Sequence, residues 1–358
     1  MALLTTITCF ILVVTLCTTH QSETCNQLVY IAGRAGATQL YMQKMWGRRT
    51  NLSKPFGIDR VPDILPTWSP NGTRVAYIGY LEDTNKTYIF DICLRTMKAD
   101  RYALPKDCYP SHLTWSTDGT QILFTWPNNS AEELGIYQLI RATGKIKRVH
   151  ALSRNADFAW SPDRTSIAFT EDSSSGGQLV IQDIFGTHRE EMHENVWGGM
   201  SWSPNGRYIA FEQTSHDPSL HICWKAVDNG LSRCLDVWSR HPVWTNDSST
   251  IAFRGRNPDD SQEWLGLADL ESGIVERLAY ININNAGTFY PVAWSATDEF
   301  LAYESCDSLA NADSCSIWII SRDGKIHRPL NRRLLRLSGE WEPVWMPAQN
   351  VTSICLEP

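Results

Sequence analysis

A tryptophan followed by Ser-Pro-Asn/Asp-Gly, or a worn version of it, recurs seven times along this chain and leaves few folds open to it. The copies centre on Trp68, Trp115, Trp160, Trp202, Trp244, Trp294 and Trp345. Their spacings of 47, 45, 42, 42, 50 and 51 residues suit a four-stranded propeller blade and are too long for ankyrin or leucine-rich repeats. The 358 residues therefore read as one closed array rather than two domains.

Each repeat has the same inner order. In the third copy Phe158-Ala159-Trp160-Ser161 is a short apolar strand and Pro162-Asp163-Arg164 a turn. Ser166 to Thr170 and Gln178 to Asp183 make the next two strands, and a turn near Gly186 leads to a fourth. Pro presets the first turn residue and Gly supplies the left-handed one, so the phrase is a hairpin turn. Blade strands are covered on both faces, which explains apolar runs without strict alternation. The repeat tryptophans accordingly read as core, and most of the other eight as filler between sheets.

The two ends of the chain complement each other. Leu28 to Ala32, Gln39 to Met42 and Thr50 to Leu52 read as second, third and fourth strands with no Trp-Ser phrase before them. Pro343 to Pro347 reads as a first strand with no blade after it. Joined, they complete a seventh blade and remove two open sheet edges; six blades with ragged ends is the alternative. A further strand at Val351 to Leu356 would sit at the same closure.

Residues 2 to 18 carry no charge and are almost wholly apolar or Thr/Cys. Residues 1–22 are thus expected to be a secretory signal or an N-terminal anchor, with a single propeller domain over 23–358. Eight cysteines lie beyond that segment, an even set that suits disulfides in an exported chain. Cys93 and Cys108, Cys223 and Cys234, and Cys306 and Cys315 each flank a hairpin and are expected to pair. Cys25–Cys355 would then clasp the two ends. No C-x-x-C spacing speaks for zinc.

Net charge is -7, with Lys and Arg scattered singly, so no basic stripe marks a nucleic-acid partner. Membrane contact is expected only through the N-terminal segment, and the chain reads as a monomer outside the cytoplasm. Six sequons, at Asn51, Asn71, Asn85, Asn128, Asn246 and Asn350, would count in a eukaryotic host.

With Trp68-Ser69-Pro70-Asn71-Gly72, Trp160-Ser161-Pro162-Asp163 and Trp202-Ser203-Pro204-Asn205-Gly206 on the page, the chain resembles the TolB-like propellers over roughly residues 27 to 349. Trp115-Ser116-Thr117-Asp118-Gly119 is close, and the copies at Trp244 and Trp294 are degraded. The resemblance implies an all-β propeller. Similar proteins serve as interaction scaffolds outside the cytoplasm, gate peptidases or, in one lineage, act as lyases on pectic sugars. A gated peptidase needs a G-x-S-x-G elbow, and no such phrase occurs here.

One constellation stands out. Three residues before each repeat tryptophan come Leu65, His112, Asp157, Gly199, His241, Pro291 and Glu342. Equivalent positions in a ring share a height, so His112, Asp157, His241 and Glu342 would converge on the channel mouth. They could hold a divalent metal or supply acid/base groups; an ordinary solvated rim is the simpler reading. The expected function is a non-catalytic module, with no cofactor, that binds a protein, peptide or glycan through its channel mouth and loops. The alternative is a metal-assisted lyase at the channel entrance.

Overall fold

A computed structural model of the chain describes residues 27–34, 37–62, 66–105, 108, 110, 113–126, 135–151, 158–173, 176–214, 220–228, 230–257, 262–281, 288–306, 315–330 and 339–345. The chain opens with β1 (Gln27–Arg34), β2 (Ala37–Lys44) and β3 (Arg49–Asn51). Blade 1 is β4 (Thr67–Trp68), β5 (Arg74–Leu81), β6 (Lys86–Cys93) and β7 (Lys98–Ala103); blade 2 is β8 (Leu113–Trp115), β9 (Gln121–Trp126), β10 (Gly135–Ile140) and β11 (Lys145–Ala151). Blade 3 is β12 (Phe158–Trp160), β13 (Ser166–Ser173), β14 (Gly176–Asp183) and β15 (Arg189–Glu194); blade 4 is β16 (Val196–Trp202), β17 (Tyr208–Thr214), β18 (Leu220–Ala226) and β19 (Ser232–Cys234). Blade 5 is β20 (Ser239–Trp244), β21 (Thr250–Arg256), β22 (Glu263–Asp269) and β23 (Val275–Tyr280); blade 6 is β24 (Thr288–Trp294), β25 (Phe300–Cys306), β26 (Cys315–Ser321) and β27 (His327–Pro329). The last strand, β28 (Gly339–Trp345), pairs antiparallel with β1 and completes the sheet β28-β1-β2-β3. The molecule is thus a seven-bladed propeller whose closing blade joins both ends of the chain, which removes the six-blade alternative.

The recurring phrase is explained by its hydrogen bonds. In five turns the hydroxyl after the tryptophan donates to the Asn or Asp two residues on: Ser69 to Asn71 at 2.8 Å, Ser116 to Asp118 at 2.6 Å, Ser161 to Asp163 at 2.6 Å, Ser203 to Asn205 at 2.8 Å and Thr245 to Asp247 at 2.7 Å. The same hydroxyl accepts the N–H five residues on, for example Arg74 at 2.9 Å and Tyr208 at 2.9 Å, and so ties the first strand to the second. The left-handed turn position holds Gly72, Gly119 and Gly206, but also Ser248 at φ 63° and Asp298 at φ 56°. A side chain there costs some backbone strain. Both use it to reach the preceding turn: Ser248 Oγ accepts the Asn205 N–H at 3.0 Å, and Asp298 Oδ1 accepts the Asn246 N–H at 2.8 Å. The degraded copies are therefore stitches between blades.

Three of the repeat tryptophans stitch as well. Trp115 Nε1 donates to the Thr67 carbonyl at 3.2 Å, Trp202 Nε1 to Ala159 at 3.1 Å and Trp244 Nε1 to Ser201 at 3.0 Å. Each acceptor directly precedes the repeat tryptophan of the blade before. Indole fills space between sheets and also satisfies a carbonyl on the innermost strand, which Phe cannot do. The rest of the core lies between blades, as where Val29, Ile31 and Leu40 of the closing blade meet Val75, Tyr77 and Phe90 of blade 1. Burial of such a side chain contributes about 2 kcal/mol.

Of the expected disulfides, Cys223–Cys234 is formed, between directly opposed residues of β18 and β19. Cys306 and Cys315 face each other across β25 and β26. Cys93 and Cys108 do not meet as expected. The β6–β7 ladder runs from Cys93 opposite Lys98 to Tyr88 opposite Ala103, and Leu104 continues it by donating to Thr87. Cys108 follows that far end as a buried thiol, while Cys93 is disulfide-bonded to another cysteine. Cys25, Cys355 and the strand expected at Val351 to Leu356 lie outside the described residues.

Candidate functional site

The first strand of each blade lines the axis, so the ring has two unlike ends. One carries the Trp-Ser turns; the other, the entry face, is where each outer strand hands over to the next blade. The expected His112–Asp157–His241–Glu342 set belongs to the entry face. His112 and Asp157 lie outside the described residues, as does Leu65, and Glu342 is placed only as a position on β28. His241 is the member whose surroundings can be built up atom by atom.

His241 sits in a bulge of β20, where pairing with β21 shifts between Arg240 and Val243, and its backbone is left-handed at φ 57°. The group that holds it there belongs to the neighbouring blade. Glu212, near the end of β17 and only 1% exposed, accepts the His241 N–H at 2.9 Å through Oε1 and the Arg240 Nε–H at 3.0 Å through Oε2. Its side chain crosses the bulge of β16 at Gly199, where an added Cβ would come within 2.5 Å of Glu212 Oε1. Glycine at that point serves both the left-handed φ of 59° and the passage of the carboxylate.

Burial, reinforced by the charges of Arg240 and Arg254, pushes the His241 imidazole down to about 3. The ring is therefore neutral near pH 7, with Nδ1 3.8 Å from Glu212 Oε1. A neutral imidazole can ligate a metal, but a site needs several convergent ligands. Among the described residues no group of three or more His, Cys, Asp or Glu side chains comes together in that way. Behind the bulge Arg254 pairs with Glu263 through Nε at 2.9 Å and a second contact from Nη2, and its guanidinium lies 5.9 Å from the Trp238 ring.

Trp197 is the residue that sequence reasoning overlooked. It was grouped with the tryptophans that fill the core, yet it is 65% exposed on the innermost strand of blade 4. It falls in the β16 irregularity between the pairs Val196–Gln213 and Gly198–Glu212, one residue from the carboxylate that holds Arg240. Arg240, whose side chain is 32% exposed, is held by that buried anion on the innermost strand of blade 5, and Trp197 lies on the innermost strand of blade 4, both toward the entry face. Large aromatics and arginines are the side chains that most often anchor protein partners. A legible signal was the lone acidic residue closing an otherwise apolar strand, Ile209-Ala210-Phe211-Glu212. A charge at such a depth implies a partner on the adjacent blade.

The model of the TolB beta propeller domain matches residues 57–297. Among curated proteins none matches the sequence. Among solved structures, TolB from Acinetobacter baumannii is 18% identical at a TM-score of 0.52, covering 91% of this chain and 67% of that one. An oligogalacturonate lyase in complex with manganese is 12% identical at a TM-score of 0.64, covering 88% of each chain. The β-propeller domain of the Trilobed protease from Pyrococcus furiosus is 12% identical at 0.60, covering 86% of this chain and 94% of that one. At such identities the likeness is one of fold.

Proposed function

The chain belongs to the TolB beta propeller domain family, and from that premise we propose that it is a non-catalytic module outside the cytoplasm that binds a protein partner at its entry face, without a cofactor. The observation that carries the reading is the exposed Trp197 on the inner strand of blade 4, with Arg240 on the inner strand of blade 5 held by the buried Glu212. An exposed indole this large is unfavourable in water and favourable against a partner. The buried carboxylate fixes the arginine in advance, which lowers the ordering cost of association. The apolar N-terminal segment supports export or surface attachment.

The test is site-specific photocross-linking in the native host, with the photoreactive group at position 197 and a control at Phe185, exposed on the turn face of blade 3. The expected result is one defined adduct from position 197 that is lost with Arg240→Ala. Equal or absent capture at both positions overturns the proposal. The lyase reading has its own signature: stoichiometric metal in the purified protein that disappears in the His112→Ala, His241→Ala double variant.

A further inference from the structure

Blade 4 carries its disulfide at the wall of an open cleft. At the entry-face end of the blade a cavity of ≈ 610 Å³ is lined by Asn195 on the link from blade 3, Gln213 of β17, His221 and Cys223 of β18, and Cys234 and Asp236. Asp236 is the one carboxylate in that lining, and no Lys or Arg side chain joins it.

The two sulfurs are unequally placed. Cys223 is 1% exposed, packed among apolar side chains of blades 3 and 4 such as Leu179 and Phe211. Cys234 ends the three-residue edge strand β19 and is exposed. Exchange begins when a thiolate attacks a disulfide sulfur that it can reach, and here that sulfur belongs to Cys234.

Gln213 stands where it serves the opened pair. Its Oε1 lies 2.9 Å from Cys223 Sγ and 3.6 Å from Cys234 Sγ. A disulfide sulfur has no hydrogen to donate, so the carbonyl accepts no hydrogen bond from either atom while they are joined. Once Cys223 is a thiol, its S–H can donate to that oxygen over the distance already present. The end of the strand is also held by other means. Leu235 is 4% exposed, its N–H donates to the Ile222 carbonyl at 2.9 Å, and its own carbonyl lies 3.0 Å from His221 Nδ1. Opening the disulfide therefore leaves β19 in place.

We propose that Cys223–Cys234 is a thiol-exchange site for a small uncharged thiol that enters this cleft. The thiolate attacks Cys234 Sγ; a new S–S bond forms there, the Cys223–Cys234 bond breaks, and its electron pair leaves on Cys223 Sγ. The proton given up by the incoming thiol returns through water to Cys223, whose S–H then rests on Gln213. The thiol's substituent is left on Cys234, in the cleft that Asn195 lines two residues before Trp197. A second thiol molecule releases it as a symmetric disulfide and leaves Cys234 reduced. A dithiol stabilised by its own hydrogen bond makes the parent disulfide more oxidising. Asp236 sets the preference among thiols, because its carboxylate repels one that brings a further negative charge.

The experiment exposes the full chain, without denaturant, to 2-mercaptoethanol and, separately, to 2-mercaptoethanesulfonate. The reaction is quenched with acid, free thiols are alkylated and the peptides are mapped by mass. The expected result with 2-mercaptoethanol is an adduct on Cys234 and a free thiol on Cys223, at unchanged near-ultraviolet circular dichroism, with slower reaction of the sulfonate. Gln213→Leu should lower the reduced fraction at a fixed ratio of thiol to disulfide by about threefold or more, and Asp236→Asn should bring the two thiols to within about twofold of each other. A bond that opens only in denaturant, an adduct on Cys223 instead of Cys234, equal rates with both thiols in the parent chain, or an unchanged reduced fraction in Gln213→Leu overturns the proposal.

Discussion

Asp91 and Glu212 are both buried carboxylates that bridge neighbouring blades, and they are put to different uses. Asp91 is fully buried and held between two guanidiniums that are themselves more than nine-tenths buried. Glu212 is as deeply placed, but its partners, Arg240 and the His241 main chain, lie at the solvent edge of the entry face. The first bracket turns inward and locks blade 1 to blade 2. The second reaches outward from blade 4 and sets the position of groups on blade 5 that solvent can reach. A buried charge between blades can hold the ring together or aim a surface, and the exposure of its partners tells which.

The sharpest way to break that contrast is Asp91→Ala. Two buried guanidiniums would lose the carboxylate they share, Arg74 keeping only Asp100 and Arg141 no counter-ion, and the expected loss is about 3–5 kcal/mol in denaturant unfolding. A loss below about 1 kcal/mol would remove the inward role. Glu212→Gln should cost less, about 2 kcal/mol, because water can reach Arg240 once the carboxylate is gone; the same variant should lose the cross-link from position 197.

His241 separates the two brackets by pH. Its folded value, about 3, lies below the ordinary value of 6.5, so between them the unfolded chain binds more protons. Stability from this group is fully present above pH 6.5 and declines as pH falls toward 3, by roughly 2 kcal/mol between pH 7 and 4 after allowance for partial exposure. Chemical denaturation across that range should be visibly flatter in His241→Gln, and an unchanged slope would contradict the buried neutral ring. The smallest expected effect is that of Trp197→Ala on folding, within about 0.5 kcal/mol by thermal unfolding. A larger loss would make Trp197 a core residue and remove the premise of a binding face.

How much of this was legible in the sequence depended on range. The turn phrase is local: Ser69, Asn71 and Arg74 lie within six residues, so the repeat alone revealed the blades, their number and the closing of the ring by both ends. Cys93 and Cys108 show where local reasoning stops. Both flank one hairpin in sequence, but one precedes its turn and the other follows its open end, and only the ladder register separates those cases. For Cys306 and Cys315 the register agrees with the expectation, and peptide mapping without reductant should recover them joined. At the candidate site, His241 was picked by position while its holder Glu212 was not, because the contact crosses from blade 4 to blade 5 over 29 residues of sequence. Trp197 was hidden by its own kind, since a count of tryptophans cannot say which of them faces water.

The pairing of β28 with β1 also sets the timing of assembly. Synthesis delivers β1 first and β28 only after six intervening blades, at roughly 5–20 residues per second. For that whole interval Leu28, Val29 and Ile31 present an open apolar edge with no mate yet made. Such an edge invites pairing with another chain. The nascent molecule must be kept from its copies until residue 345 emerges, and the concentration at which it is made then matters more to its yield than the strength of any contact in the finished ring.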